Sequence, residues 1–203
     1  MYFWKFKLIY LHPPKTGGNS IQSAVIHLSD DRMTLGAFRD GKDTFDIVGP
    51  MTPVKHATLS DYAQRLTHLR QHQVAISVRH PFERAVSQYF SPSRWMRQRD
   101  GAWYAETPIW NRDEFVAMLA QTPSQVSFVA LAGDIRRPDF VIRHETMRHD
   151  FAVLARALDL PTELPHLNRS LAPNSPKTSI LSDASLKQMV CDHFAQNTAF
   201  FGY

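Results

Sequence analysis

Three short apolar runs, each followed by a segment with helical spacing, organise the chain. Leu8-Ile9-Tyr10-Leu11, Val74-Ala75-Ile76-Ser77-Val78 and Phe140-Val141-Ile142-Arg143-His144-Glu145 read as buried strands. Behind the first, Ile21, Val25 and Leu28 recur at helical spacing over residues 18 to 28. Behind the second, Pro81 is placed as the first residue of a helix that carries Ser87 two turns in. Behind the third, Phe151, Leu154 and Leu158 share one face of a helix from Met147 to Leu158. Strands alternating with helices predict an α/β fold: a single domain with a mostly parallel central sheet flanked by helices and a ligand across the strands' carboxyl ends.

Elsewhere the pattern is weaker. Residues 29 to 45 are polar, contain Gly36 and Gly41, and predict an irregular connection with room for a hairpin. Phe45 to Val48 reads as a short strand stopped by Gly49-Pro50, after which a helix capped by Ser60 is predicted to run through Leu69. Residues 91 to 111 mix Arg94, Arg97 and Arg99 with Trp95, Trp103, Tyr104 and Trp110 without a period, and predict a long irregular stretch. Two readings of it stand side by side. Rings and guanidiniums suit a sugar bearing acidic groups, or the tryptophans pack a core beside a solvated helix end. Helices over Arg112 to Ala120 and over 183 to 197 complete the pattern, with no internal repeat or low-complexity segment.

Composition narrows the class. The 203 residues suffice for one well-buried core, so one domain over 1–203 is expected, and 43% apolar residues are those of a globular chain. A formal charge of +4 and a pI near 9.3 suit anionic ligands. No aromatic-basic repeat or zinc-finger spacing points to nucleic acid. The one cysteine, Cys191, allows no internal disulfide and no cysteine metal site, and a reducing, cytoplasmic setting is the expectation. No apolar run reaches the ~20 residues of a membrane span, and the aromatic, basic N-terminus has no signal-peptide pattern.

The candidate chemistry lies after the first strand, in His12-Pro13-Pro14-Lys15-Thr16-Gly17-Gly18-Asn19-Ser20. Gly17 and Gly18 let the backbone close on an anion, Lys15 supplies a full charge, and Asn19 or Ser20 can cap a helix whose amino end faces the same ligand. The order is not that of a Walker A loop, whose lysine follows its last glycine. After the second strand, Arg79 and Ser87 can bring a guanidinium and a hydroxyl to one phosphate.

Pro14-Lys15-Thr16-Gly17-Gly18-Asn19-Ser20 resembles the 5′-phosphosulfate loop of sulfotransferases that use 3′-phosphoadenosine 5′-phosphosulfate (PAPS), most closely the carbohydrate branch with its bacterial members and heparan sulfate 2-O-sulfotransferase-like enzymes. Pro13 replaces an aliphatic residue of that pattern and Asn19 a threonine. Val78-Arg79-His80-Pro81 through Arg84, Ser87 and Tyr89 resembles the family's 3′-phosphate motif, with His80 in place of an asparagine and hence a weaker expected cap. His56-Ala57-Thr58 matches a His-x-Thr segment whose histidine faces the acceptor, and Thr122-Pro123-Ser124-Gln125 a segment near it. Leu164 to Ser170 is similar to a loop that closes over the nucleotide, and Phe200 to Tyr203 to the family's usual ending.

The resemblance implies a P-loop-like sulfotransferase fold and sulfuryl transfer from PAPS, as cosubstrate, to a hydroxyl of a saccharide or polysaccharide. It assigns Lys15 and His56 as catalytic, and Pro14, Lys15, Thr16, Gly17, Gly18, Asn19, Ser20, Arg79, Ser87, Asn168 and Ser170 to the nucleotide. No metal is expected, because a sulfuryl group carries less charge than a phosphoryl group. The acceptor hydroxyl needs a base, and histidine suits that task. His56 is the first choice, with Glu145 or His12 next, His12 being read as a support of the loop. The rivals are a nucleotide-dependent kinase and a non-catalytic nucleotide- or polyanion-binding protein.

Overall fold

The computed structural model describes residues 1–36, 44–160, 164 and 176–203. The chain runs β1 (Tyr2–Phe3), β2 (Leu8–Leu11), α1 (Gly18–Val25), β3 (Arg32–Thr34), β4 (Asp46–Val48), α2 (Leu59–Ala63) and β5 (Gln73–Val78). It continues through α3 (Pro81–Tyr89), α4 (Pro92–Trp95), β6 (Met96–Arg99), β7 (Ala102–Ala105) and α5 (Arg112–Gln121). Last come β8 (Ala130–Leu131), β9 (Asp134–Ile135), β10 (Phe140–Arg143), α6 (Met147–Ala157), α7 (Pro176–Leu181), α8 (Ala184–His193) and α9 (Ala195–Phe201). Two compact units result: Met1–Arg79 with Gln125–Arg169, and His80–Ser124 with Ser170–Tyr203.

The first unit holds the mixed, mostly parallel sheet, in the order β1-β2-β5-β10. β2 and β10 each pair with β5 in parallel, Leu11 opposite Ile76 and Arg143 opposite Val78, while β1 runs antiparallel to β2. Strand residues alternate between the two faces. Leu8, Tyr10, Ala75 and Ile142 pack with Ile21 and Val25 of α1 and with Phe151 and Leu154 of α6. Ile9, Leu11, Val74, Ile76 and Val78 are buried as well, so the inner strands are covered on both sides and read as unbroken apolar runs. The shared parallel direction sets His12, Arg79 and His144, the residues just past β2, β5 and β10, at one end of the sheet.

Several expectations change here. The polar connection does form a hairpin, β3 with β4. α2 is capped by Thr58, not Ser60, and ends at Ala63 rather than Leu69. Thr58 and Asp61 form a reciprocal capping box, whereas the Ser60 hydroxyl donates to the Ala130 carbonyl at 3.0 Å. β1, β8 and β9 are strands of two residues that no periodicity marks.

In the second unit α3 lies with α7, α8 and α5. Its core gathers Phe82, Val86, Tyr89, Trp95 and Phe115 with Leu186 and Val190. The stretch 91–111 is ordered: the helix α4, then the antiparallel pair β6 and β7 turning at Asp100-Gly101. The core-packing reading holds for two of its tryptophans. Trp95 is buried and donates Nε1–H to the Tyr89 carbonyl at 2.8 Å, and Trp110 lies 5.2 Å from the Tyr89 ring, whereas Trp103 and Tyr104 are exposed on β7. The single helix expected over 183–197 is divided at Phe194 into α8 and α9. Among the described residues no helix is long and apolar enough to cross a membrane.

Candidate active site

The strand β2 delivers the chain to His12, and the next five residues, Pro13 to Gly17, turn it into α1. Lys15 adopts a left-handed backbone at φ +68°, Thr16 returns to negative φ, and Gly17 is left-handed again at +81°. Such alternation turns successive N–H groups toward one concavity, the geometry that receives an anion. Thr16, fully buried, fastens the turn by donating its hydroxyl to the Pro13 carbonyl at 2.8 Å. The cap of α1 is Gly17, with no side-chain cap bond, so Asn19 and Ser20 stand inside the first turn. That corrects the cap expected of Asn19 or Ser20. The cap at Gly17 begins the helix two or three residues earlier, leaving the first-turn N–H groups of α1 at the loop.

Each glycine has a histidine against it. A Cβ on Gly18 would lie 2.2 Å from Cδ2 of His12, and one on Gly17 would lie 2.7 Å from Nδ1 of His144 and 2.3 Å from the Met147 methyl. The glycine pair is thus required by close approach as well as by conformation. His144 follows β10 directly, its N–H bonded to the Val78 carbonyl at 2.8 Å, and the turn is pinned by Asp150, which accepts from Arg143 N–H and the Thr146 hydroxyl. Nothing in the spacing of the sequence singled out His144. Its neighbour Glu145, an alternative base, is exposed.

His56 is brought to the loop. Its Nδ1 lies 2.6 Å from the His12 carbonyl, and its ring meets that of His12 edge-on at 4.8 Å. A carbonyl only accepts, so Nδ1 carries the hydrogen and the lone pair of the neutral ring sits on Nε2. The segment is held on both sides. Thr58 caps α2, and Lys55, buried, donates Nζ–H to the Phe45 carbonyl while lying 3.9 Å from the Phe45 ring centre. His12 is itself buried, and its Nδ1 meets Gln22 Oε1 at 3.0 Å. Burial, helped by His56 and Lys55 nearby, holds its pKa well below the usual imidazole value.

Arg79 extends from β5, half-buried, and its backbone is gripped by Gln125. Arg79 N–H donates to Gln125 Oε1 at 2.8 Å, and Gln125 Nε2–H donates to the Arg79 carbonyl at 2.9 Å. Gln125, fully buried, therefore holds the strand end. In the second unit Ser87 is half-buried on α3. His80 does cap α3, its Nδ1 accepting from Phe82 N–H at 3.2 Å. Arg84 is buried there, donates to the Pro123 carbonyl at 2.9 Å, and has its pKa pushed down to about 10 by burial. Asn168 and Ser170 lie outside the described residues.

An α/β sheet with a glycine-bearing turn at the carboxyl end of an inner strand, leading into a helix, is an arrangement in which proteins commonly receive phosphate- or sulfate-bearing ligands. The chain belongs to the Sulfotransferase family, whose family model matches residues 2–203. It is a sulfotransferase and acts on a hydroxyl-bearing acceptor. No curated protein and no solved structure gives a significant match. Among the described residues no group of three or more His, Cys, Asp and Glu is arranged to hold a metal ion.

Proposed function

We propose that this sulfotransferase takes its sulfuryl group from PAPS and passes it to a hydroxyl of a saccharide or polysaccharide, with residues 1–203 acting as one domain. The observation that carries the reading is the loop after β2, where alternating φ signs at Lys15, Thr16 and Gly17 lead into the amino end of α1. We place the 5′-phosphosulfate at this loop, where a Cβ at Gly18 would meet His12 and one at Gly17 would meet His144 and Met147, so that both positions call for glycine. Pro14 to Ser20 hold that group, and Arg79, Ser87, Asn168 and Ser170 serve the rest of the nucleotide.

The acceptor oxygen attacks sulfur as the bond from sulfur to the 5′-phosphate oxygen breaks, and the electron pair leaves with the phosphate. Lys15, the loop N–H groups and the α1 terminus meet the charge on that oxygen, so the step needs no metal ion. Thr16 spends its hydroxyl hydrogen on Pro13, which leaves Ser20 as the loop hydroxyl for this oxygen. The acceptor proton goes to Nε2 of His56, the nitrogen that the His12 carbonyl leaves basic.

Calorimetric titration with 3′-phosphoadenosine 5′-phosphate (PAP) against ATP and AMP, with and without magnesium, tests the donor. Binding that is metal-independent, needs the 3′-phosphate and weakens in Arg79→Ala is expected; preference for magnesium ATP would overturn the reading in favour of a kinase. Lys15→Ala should bring transfer down by ~10²–10³-fold, the cost of one charge-stabilising donor, with the fold intact by circular dichroism. Unchanged turnover in that variant would remove Lys15 from the reaction.

A further inference from the structure

His12 is a buried titratable group in contact with His56 that has no assigned part in the reaction. Its ring is 4% exposed, lies nearly parallel to Tyr10 at 6.5 Å, and bonds Gln22 through Nδ1. Since Gln22 presents its carbonyl oxygen, Nδ1 of His12 is the donor. The main chain of the same residue accepts from Nδ1 of His56.

Gln22 is hard to explain by packing. It is fully buried on the side of α1 that also carries Ile21 and Val25, and its Nε2 has no hydrogen-bond partner among the described residues. An apolar side chain of similar length would fill that place without leaving a buried donor unmet. What only the amide supplies is the acceptor for His12.

We propose that His12 and Gln22 are positioning residues for His56: Gln22 locks the His12 ring, the locked residue holds its carbonyl on His56 Nδ1, and Nε2 is thereby kept as the nitrogen that takes the acceptor's proton. The inference rests on the reading of His56 as the base. As His56 becomes an imidazolium, its bond to the His12 carbonyl becomes charge-assisted and strengthens. His12, kept neutral by burial, adds no like charge to the ring 4.8 Å away.

The test is ¹⁵N NMR of the histidine rings in the full chain, which reads each tautomer directly. Wild-type His56 is expected as the Nδ1–H form. In Gln22→Met, which keeps the packing, the Nε2–H form should grow and release of sulfate from PAPS should slow by ~10–100-fold, the usual range for an outer-shell partner, with PAP affinity within about twofold. Gln22→Glu, which still accepts from His12, should keep the wild-type tautomer. A merely structural role predicts the reverse order, since methionine suits a buried place better than a carboxylate. Wild-type His56 as the Nε2–H form, or Gln22→Met with an unchanged tautomer, would overturn the proposal. Failure of the underlying reading shows separately, as His56→Gln with wild-type turnover.

Discussion

At His12 burial and chemistry oppose each other, which gives a pH signature. The folded protein holds the ring neutral, its pKa well below the ordinary value of ~6.5. Above that value both folded and unfolded chains have a neutral His12, and its contribution to stability is fully present. As pH falls through ~6.5 the unfolded chain takes up a proton that the folded one refuses, so stability is lost toward acid, by at most ~1.4 kcal/mol per pH unit. Urea midpoints at pH 7.5, 6.5 and 5.5 should fall more steeply for the wild type than for His12→Asn. Parallel curves would mean that His12 is protonated in the fold. Gly18→Ala probes the same contact from the other side. Its Cβ would stand 2.2 Å from the His12 ring, and overpacking of this kind costs ~1–3 kcal/mol. A melting curve should show that loss, and PAP affinity should drop with it, because ring and loop cannot both keep their places.

At the scale of elements, Gln125 matters because it completes a strand end. Two side-chain bonds satisfy the N–H and C=O of Arg79, just past the last residue of β5. Gln125→Leu leaves both backbone groups unmet, at ~1–3 kcal/mol for each that stays buried. Urea unfolding should report the loss, and PAP affinity should fall although Arg79 itself is unchanged. A variant as stable as the wild type would mean that water or another group replaces the amide. The sequence could not show this clamp, since its partners are 46 residues apart. The inner strands and α1, α3 and α6 were legible because an apolar run or a 3.6-residue period survives in a linear reading. So was the loop, whose lysine and glycines are adjacent. The β6–β7 pair had a local signal that went unread: Asp100-Gly101, both left-handed in the structure, is a two-residue hairpin turn, but its flanks are too polar and exposed to alternate. β8 and β9 turn at Ala132-Gly133, also left-handed, where alanine gives no hint. Gln22 and His144 stayed hidden for the reason Gln125 did, because their roles depend on contacts across the fold.

For the molecule as a whole, the proposed nucleotide binding links to stability. A ligand that binds only the folded chain stabilises it by RT ln(1 + [L]/Kd), or ~2.7 kcal/mol at a hundredfold excess over Kd. For a protein of 203 residues each kcal/mol moves Tm by ~2–4 °C, so saturating PAP should raise it by about 5–10 °C. The shift discriminates because its origin is spread over the ligand. AMP can occupy the loop at Lys15 to Ser20 but offers nothing to the residues assigned to the 3′-phosphate, so at equal concentration it should give a much smaller rise. A chelator should leave the PAP shift unchanged, since in the proposed site Lys15, the loop amides and α1 supply the positive field. Salt should reduce it, because a chain of formal charge +4 attracts a polyanion partly through solvent-exposed charge, which ions screen over ~10 Å at 0.1 M. Equal shifts for AMP and PAP would show that the 3′-phosphate is not read, and Arg79 and Ser87 would then lose their assignment while the loop kept its own.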